Sequence, residues 1–359
     1  MEQDKKLHIC HILFTSKIGG LEQAYIDYTR ALLLRGHKIT GIILPNAPYH
    51  AELAALNVEI ITLKIRGFYD ILSWMALRKI IKKAKPDLIL AHYGRAIFAS
   101  TKALFWQKIP LIGVSHSYNI KYSKKADNLL VLTEGMKRHF VNAGYDAKKC
   151  AVMENMIDLG DMPAPKNLAK KWQKHNPPTI GFMGRLAPEK GAEQLLQAIA
   201  LLKQKNKVLN LRIGGAGVEE KGLHGLAEKL QISEQIQFCE WITQEKKIEF
   251  FASIDVLCVP SNSETFGLVV LEAWKNSVPV IAAKTGGLAE IIENGKTGLH
   301  YPKGGVVALA ENIEKILFSE ENLGQRLSDN GREKVSKYGI DEISKRLENQ
   351  LLLFMNKYQ

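Results

Sequence analysis

No apolar run in this chain approaches the ~20 residues needed to span a bilayer, so a membrane-crossing helix is not expected. Cysteine is scarce, with four in 359 residues. Cys10, Cys150, Cys239 and Cys258 lack Cys-x-x-Cys spacing, and three lie in apolar strand-like runs. Buried free thiols are expected, not a disulfide framework or a zinc site. Gly-x-Gly-x-x-Gly and Gly-x-x-x-x-Gly-Lys-Ser/Thr are both missing, which disfavours a plain dinucleotide or ATP site. Asp-x-Asp is missing too, and no His/Asp/Glu cluster has metal-ligand spacing, so no metal site is expected. The opening Met1-Glu2-Gln3-Asp4-Lys5-Lys6 runs into a strand-like pattern without an apolar signal core, which makes the cytoplasm the expected location.

What is present is ordinary for a globular protein: 46% apolar and 24% charged residues. The length exceeds what one core usually organises, so two domains are expected. The net charge of +12 is unevenly placed. Residues 1–160 hold 23 Lys and Arg against 13 Asp and Glu, whereas the remainder holds 26 against 24. A basic first half suits an anionic surface: nucleic acid, anionic lipid or a phosphorylated glycan. No nucleic-acid module or aromatic–basic signature accompanies the charge, so nucleic acid is not the expected partner.

Along the first half, strands read at His8–Phe14, Lys38–Leu44, Val58–Leu63, Asp87–Ala91, Pro110–Ser115 and Asn128–Leu132. Helices at Leu21–Leu34 and Asp70–Ala84 fall between them. Short apolar strands alternating with longer helices predict an α/β domain with a parallel sheet. The Pro-, Lys- and Asn-rich stretch from 158 to 178 breaks the pattern, and a linker is expected over 161–178. A second series begins at Thr179–Met183 and continues through Asn210–Gly214, Ile254–Pro260 and Val278–Ala282, giving a second doubly wound domain over 179–338. A closing amphipathic helix occupies 339–359 and is expected to pack back toward the first domain, residues 1–160. Two such domains imply a cleft where strand carboxyl ends face one ligand.

The motif with most content is Ser263-Glu264-Thr265-Phe266-Gly267-Leu268-Val269-Val270-Leu271-Glu272-Ala273, which follows a strand and opens a helix. The N–H groups of Phe266, Gly267 and Leu268 would form an anion site at that helix N-terminus. Glu264 and Glu272 are separated by up to ~12 Å of helical rise. That suits a grip on two ends of an extended ligand better than a hydrolase pair with carboxyls ~5–9 Å apart. A capped core helix with two surface glutamates would look the same. Gly184-Arg185-Leu186-Ala187-Pro188-Glu189-Lys190-Gly191 places a planar fork, Arg185, and a mobile ammonium, Lys190, at another strand end, where both could neutralise a diphosphate. An exposed turn would carry such residues equally well. Gly19 and Gly20 in Lys17-Ile18-Gly19-Gly20-Leu21-Glu22 would let a phosphate approach the first helix N-terminus. His116 follows the strand Pro110–Ser115 and could hydrogen-bond a sugar hydroxyl or only loop backbone; His92, after Asp87–Ala91, is a weaker candidate.

Taken together, these residues resemble the family-four retaining glycosyltransferases of GT-B fold. Further matching segments are Lys125-Ala126-Asp127 leading to Leu132-Thr133-Glu134, Gly286-Gly287-Leu288-Ala289-Glu290-Ile291-Ile292 and Gly295-Lys296-Thr297-Gly298. The resemblance implies two Rossmann-like domains and transfer of a hexose or N-acetylhexosamine from a nucleotide diphosphate sugar, most readily a UDP-sugar, with no cofactor. It implies that Arg185, Lys190, Gly19 and Gly20 bind the donor diphosphate. Glu264, Thr265, Phe266, Gly267 and Leu268 would bind the donor sugar, and Glu272 the ribose. Glu264 and His116 would act at the reacting centre. Departures from the family pattern are Glu240, Ser277 and Met156, each standing where glycine is common.

The expected acceptor is an envelope glycan or lipid-linked glycan, with a small soluble acceptor as the alternative. A nucleotide-sugar-binding protein without turnover is the reading from another class. The segment from Asp70 to Lys83 joins an apolar stripe to a basic cluster. Ala103–Lys108 and Tyr118–Lys125 add aromatics and lysines, so an anionic membrane surface is a candidate partner and peripheral attachment to the inner face of the cytoplasmic membrane a candidate location. A crossover helix burying its stripe on its own sheet would explain the first segment equally.

Overall fold

The computed structural model describes residues 6–17, 19–160, 162, 175–319 and 322–356. Most of the expected linker, and Ile18 of the glycine loop, lie outside the described residues. The chain divides into two compact units, Met1–Asp158 with Tyr338–Gln359, and Leu159–Lys337.

The first unit is built on seven strands: β1 His8–Leu13, β2 Lys38–Ile43, β3 Glu59–Thr62, β4 Leu88–His92, β5 Leu111–Ser115, β6 Asn128–Val131 and β7 Cys150–Val152. Their order is β3-β2-β1-β4-β5-β6-β7, and every pairing is parallel. Parallel strands buried on both faces must be apolar throughout, and β4 and β5 are buried at every position. Ile9, Leu90, Ile112 and Leu130 pack on one side with Tyr28 and Leu32. Cys10, Ile12, Ile89 and Ala91 pack on the other with Leu77 and Ile97.

The closing helix Ile340–Met355 belongs to this unit. Ile343, Leu347, Leu351 and Phe354 complete the first core face. Arg35 Nε donates to Glu348 at 2.6 Å, and Arg346 to Glu154 at 2.6 Å. Met156, one departure from the family pattern, is buried in the same core.

The second unit carries β8 Thr179–Met183, β9 Asn210–Gly214, β10 Ile236–Cys239, β11 Val256–Val259, β12 Val280–Ala283 and β13 Leu299–Tyr301. These are ordered β10-β9-β8-β11-β12-β13, again all parallel. Ser277, another departure, has φ +58°, which explains the usual glycine there. The serine is held by its neighbours: its hydroxyl accepts from Arg332 at 3.0 Å and its carbonyl from Ser328 at 2.7 Å.

Both sheets reverse direction of winding once, between β1 and β4 in the first and between β8 and β11 in the second. Such switch points open a crevice at the strand carboxyl ends, because the helices on either side leave toward opposite faces. Gly19 follows β1, and Arg185 and Glu264 follow β8 and β11. Among the described residues no helix is long and apolar enough to cross a membrane.

Candidate functional site

In the second unit the loops after β8 and β11 are sewn together. Beyond β8, the N–H of Gly184 donates to the Gly214 carbonyl at 2.9 Å and that of Leu186 to Ala216 at 3.0 Å. The turn Pro188–Lys190 then lies against the end of β11. Asn262 donates its N–H to the Glu189 carbonyl at 2.8 Å and its side-chain amide to the Pro188 carbonyl at 3.1 Å. Gly191 makes this approach feasible: its φ is +65°, and a Cβ there would sit 2.3 Å from the Pro260 oxygen.

This stitching brings two predicted residues together across 74 positions of sequence. Lys190 Nζ lies 2.5 Å from Glu264 Oε2, with the side chains only 23% and 13% exposed. Glu264 is fixed on two further sides. Its carbonyl accepts from the Gly287 N–H at 2.9 Å, and its other carboxylate oxygen accepts from the Thr265 N–H at 3.2 Å. At Gly286, φ +45°, a Cβ would lie 2.0 Å from the Glu264 carbonyl oxygen, so a side chain there would displace the glutamate.

The helix that follows begins at Leu268, later than Glu264, so only half of the Glu264-to-Glu272 separation is helical. Phe266 is 1% exposed and its ring belongs to the core, leaving its backbone as the part able to meet a ligand. Gly267 caps the helix Leu268–Lys275 without a side-chain acceptor, and its first N–H groups have no partner within the helix. Glu272 accepts from Lys247 at 2.5 Å. Arg185 is more exposed and is held by Glu189 at 2.8 Å. Lys247 was not legible as a site residue; it stands 25 positions from Glu272 with no motif around it.

In the first unit, Gly19 is the cap of the helix Gly20–Leu34, and Gly20 is its first residue. The cap has no side-chain acceptor, and the buried Glu22 occupies the first turn. The helix dipole favours negative charge at this end, and the Glu22 carboxylate already stands there, its Oε2 3.5 Å from where a Cβ on Gly19 would sit.

His92 requires a correction. It does not follow the strand but ends it, paired with Leu13 of β1 and Val114 of β5, and is fully buried. His116, just past β5, is partly buried and its Nε2 lies 3.0 Å from His92 Nδ1. His92 Nε2 in turn lies 2.8 Å from Nε2 of His11, in the middle of β1. Burial, which penalises the charged ring, pushes His116 and His11 down to about 3 and holds His92 well below the usual range. His92 is lowered further by its two histidine neighbours. His11 carries no motif and reads as part of the buried strand; a histidine between Cys10 and Ile12 is its one signal.

Among the described residues no group of three or more His, Cys, Asp or Glu could hold a metal ion. All four cysteines are free.

Residues 165–334 match the family model of glycosyl transferases group 1, and residues 18–161 that of Glycosyltransferase Family 4. The lipopolysaccharide core biosynthesis glycosyltransferase LpsE of Rhizobium meliloti is 27% identical over 330 residues, covering 91% of this chain and 93% of the relative. The capsular polysaccharide biosynthesis glycosyltransferase CapM of Staphylococcus aureus is 24% identical, covering 98% and 99%. The crystal structure of Anabaena HepE in complex with UDP-glucose superposes with a TM-score of 0.82 at 20% identity, over 96% of this chain and 99% of that one. That likeness establishes a shared GT-B fold.

Proposed function

Since the chain belongs to the glycosyl transferases of group 1, we propose that it moves a hexose or N-acetylhexosamine, with retention, from a UDP-sugar to an envelope or lipid-linked glycan. The observation that carries this reading is the Lys190–Glu264 pair beside Arg185 at the switch point of the second sheet.

Arg185 and Lys190 would take the two phosphates of the donor. A guanidinium can grip phosphate oxygens bidentately, whereas an ammonium supplies a compact charge that follows the leaving group. Arg185 is paired with Glu189 and Lys190 with Glu264. Binding a diphosphate would therefore exchange one anionic partner for another instead of introducing bare charge, which keeps the loops ordered at little electrostatic cost. Glu264 would accept hydrogen bonds from hexose hydroxyls, and Glu272, steadied by Lys247, would do so from the ribose. Gly19 and Gly20 would offer backbone N–H to the diphosphate, and His116 would accept from a hydroxyl near the anomeric carbon.

In this scheme the acceptor hydroxyl attacks from the face the phosphate leaves. The bond from the anomeric carbon to the phosphate oxygen breaks, the new bond to the acceptor oxygen forms, and the acceptor proton passes to the departing phosphate. Arg185 and Lys190 stabilise the charge that develops there, so no metal is required. The relatives named for lipopolysaccharide core and capsular polysaccharide biosynthesis support an envelope glycan as acceptor.

Peripheral contact with anionic lipid is part of the proposal. On the helix Ile71–Ala84, Leu77 and Ile81 face the core, but Ile71, Leu72 and Met75 remain exposed next to Tyr69. Phe105 and Trp106, the latter 85% exposed, stand between Lys102 and Lys108. Apolar side chains flanked by lysines are suited to an anionic interface.

The deciding experiment is to present UDP-, GDP- and ADP-sugars, follow hydrolysis and thermal stabilisation, then determine the anomer of any product by NMR. Stabilisation by UDP-sugars and a product of unchanged anomeric configuration are expected. An inverted product would end the retaining reading.

A further inference from the structure

His11 and His92, both fully buried, and the partly buried His116 form one hydrogen-bonded line in the first unit, and its sense can be worked out from the inner end. Thr29 Oγ1 donates its hydrogen to the Tyr25 carbonyl at 2.9 Å. A hydroxyl has one hydrogen, so toward His11 Nδ1, 2.9 Å away, Thr29 can only accept. His11 is thus protonated on Nδ1, and its Nε2 carries a lone pair. His92 must donate from Nε2 across the 2.8 Å contact, which leaves His92 Nδ1 bare. His116 must donate from Nε2 across the 3.0 Å contact, which leaves His116 Nδ1 bare.

The surroundings hold this arrangement. Tyr25 stacks on the His11 ring at 4.1 Å, and its hydroxyl donates to the His11 carbonyl at 3.0 Å. Tyr25 and Tyr28 make T-shaped contacts with His92, with ring centroids 5.5 and 5.0 Å away. The His92 and His116 rings lie 24° from parallel with their centroids 5.1 Å apart. Buried rings stay neutral, so no extra proton confuses the sequence of donors. His116 Nδ1 makes no hydrogen bond among the described residues.

We infer that Thr29, His11 and His92 are positioning residues that lock His116 in the Nε2-protonated tautomer, so that its Nδ1 serves as a fixed hydrogen-bond acceptor for a substrate hydroxyl. This rests on the reading of His116 as a contact to the donor sugar. Each inward donation also raises electron density on the outer ring, making Nδ1 a better acceptor than an isolated imidazole. The selectivity follows: a sugar with a hydroxyl at that place is held, and its deoxy analogue would cover the nitrogen without pairing it.

The first test is NMR of the full chain with 15N-labelled histidine, using the ring protons to distinguish protonated from bare nitrogens. His116→Gln identifies the His116 signals among the ten histidines. The inference requires a bare Nδ1 and a protonated Nε2 at His116, and Thr29→Val should mix the tautomers. A protonated Nδ1 at His116 in the parent protein overturns the inference, whatever the activity.

The second test is kinetic. The Oδ1 of His92→Asn replaces Nδ1 as an acceptor for His116, whereas His92→Gln reaches His11 instead. Asn should restore most of the kcat lost in His92→Ala, and Gln should leave it about tenfold down with KM little changed. Equal loss in Asn and Gln would contradict the assignment. The predicted tautomer in a protein that transfers no sugar would support the histidine line and count against the glycosyl-transfer reading.

Discussion

Lys190 and Glu264 come from loops after different strands, yet their charged ends meet at 2.5 Å. The contact depends on Gly191, which lets the first loop press against Pro260, and on Gly286, which lets the chain pass the Glu264 carbonyl. The fold thus holds side by side the cation proposed for phosphate and the carboxylate proposed for sugar, the preorganisation that positional catalysis would need.

Removing the carboxylate should separate chemistry from binding. Glu264→Ala is expected to lower kcat by at least about 100-fold while UDP affinity changes little. Single-turnover kinetics and calorimetry on the same preparation measure both, and normal turnover in the variant would refute the role given to Glu264.

The loop geometry makes its own prediction. Gly286→Ala places a Cβ against the Glu264 carbonyl oxygen, 2.0 Å in the present geometry, on a backbone at φ +45°. Destabilisation of about 1–3 kcal/mol is expected from the strained backbone and the clash. Activity should fall further than stability accounts for, since the displaced residue is Glu264. Urea unfolding with parallel assays reads this; a variant with parent stability and rate would show the loop to be pliant.

Acid stability tests the histidine line independently of catalysis. His11, His92 and His116 bind their protons far more weakly folded than unfolded, where histidine titrates near about 6.5. Between about 3 and 6.5 the unfolded chain holds more protons, so stability is full above about 6.5 and falls as pH drops through that window. The urea midpoint should decline steadily from pH 7 to pH 5, and His11→Gln should flatten the decline. A midpoint independent of pH would contradict the neutral, buried assignment.

Lipid contact is checked with sedimented vesicles. Binding to anionic vesicles should weaken with salt and with the double change Phe105→Ala and Trp106→Ala, leaving nucleotide affinity unaltered. Equal binding to neutral and anionic vesicles would remove the electrostatic part of the proposal.

Two strands of the second sheet were legible to the residue: β8 and β9 coincide with their expected limits, β8 as a short run that is buried at four of its five positions and β9 through the buried Leu211 and Ile213 on either side of Arg212. The strands that escaped notice, β7, β10 and β13, are all sheet edges. They are three or four residues long, and β10 has no fully buried position, so they carry little apolar signal. The site divides in the same way. Glu264 and Lys190 stand in recognisable loops, whereas Lys247 and the His11–His92–His116 line exist only through pairing between distant segments. No local spacing encodes such contacts; the order of strands in the sheet does.

The central claim, that Arg185 and Lys190 balance the donor diphosphate, is tested most directly by calorimetry of UDP against uridine in metal-free buffer. The parent protein should bind UDP at least about 100-fold more tightly than uridine. The double variant Arg185→Ala, Lys190→Ala should lose nearly all of that preference while still binding uridine. A double variant that holds UDP as tightly as the parent, or a parent that needs a divalent ion to distinguish the two ligands, would contradict the account.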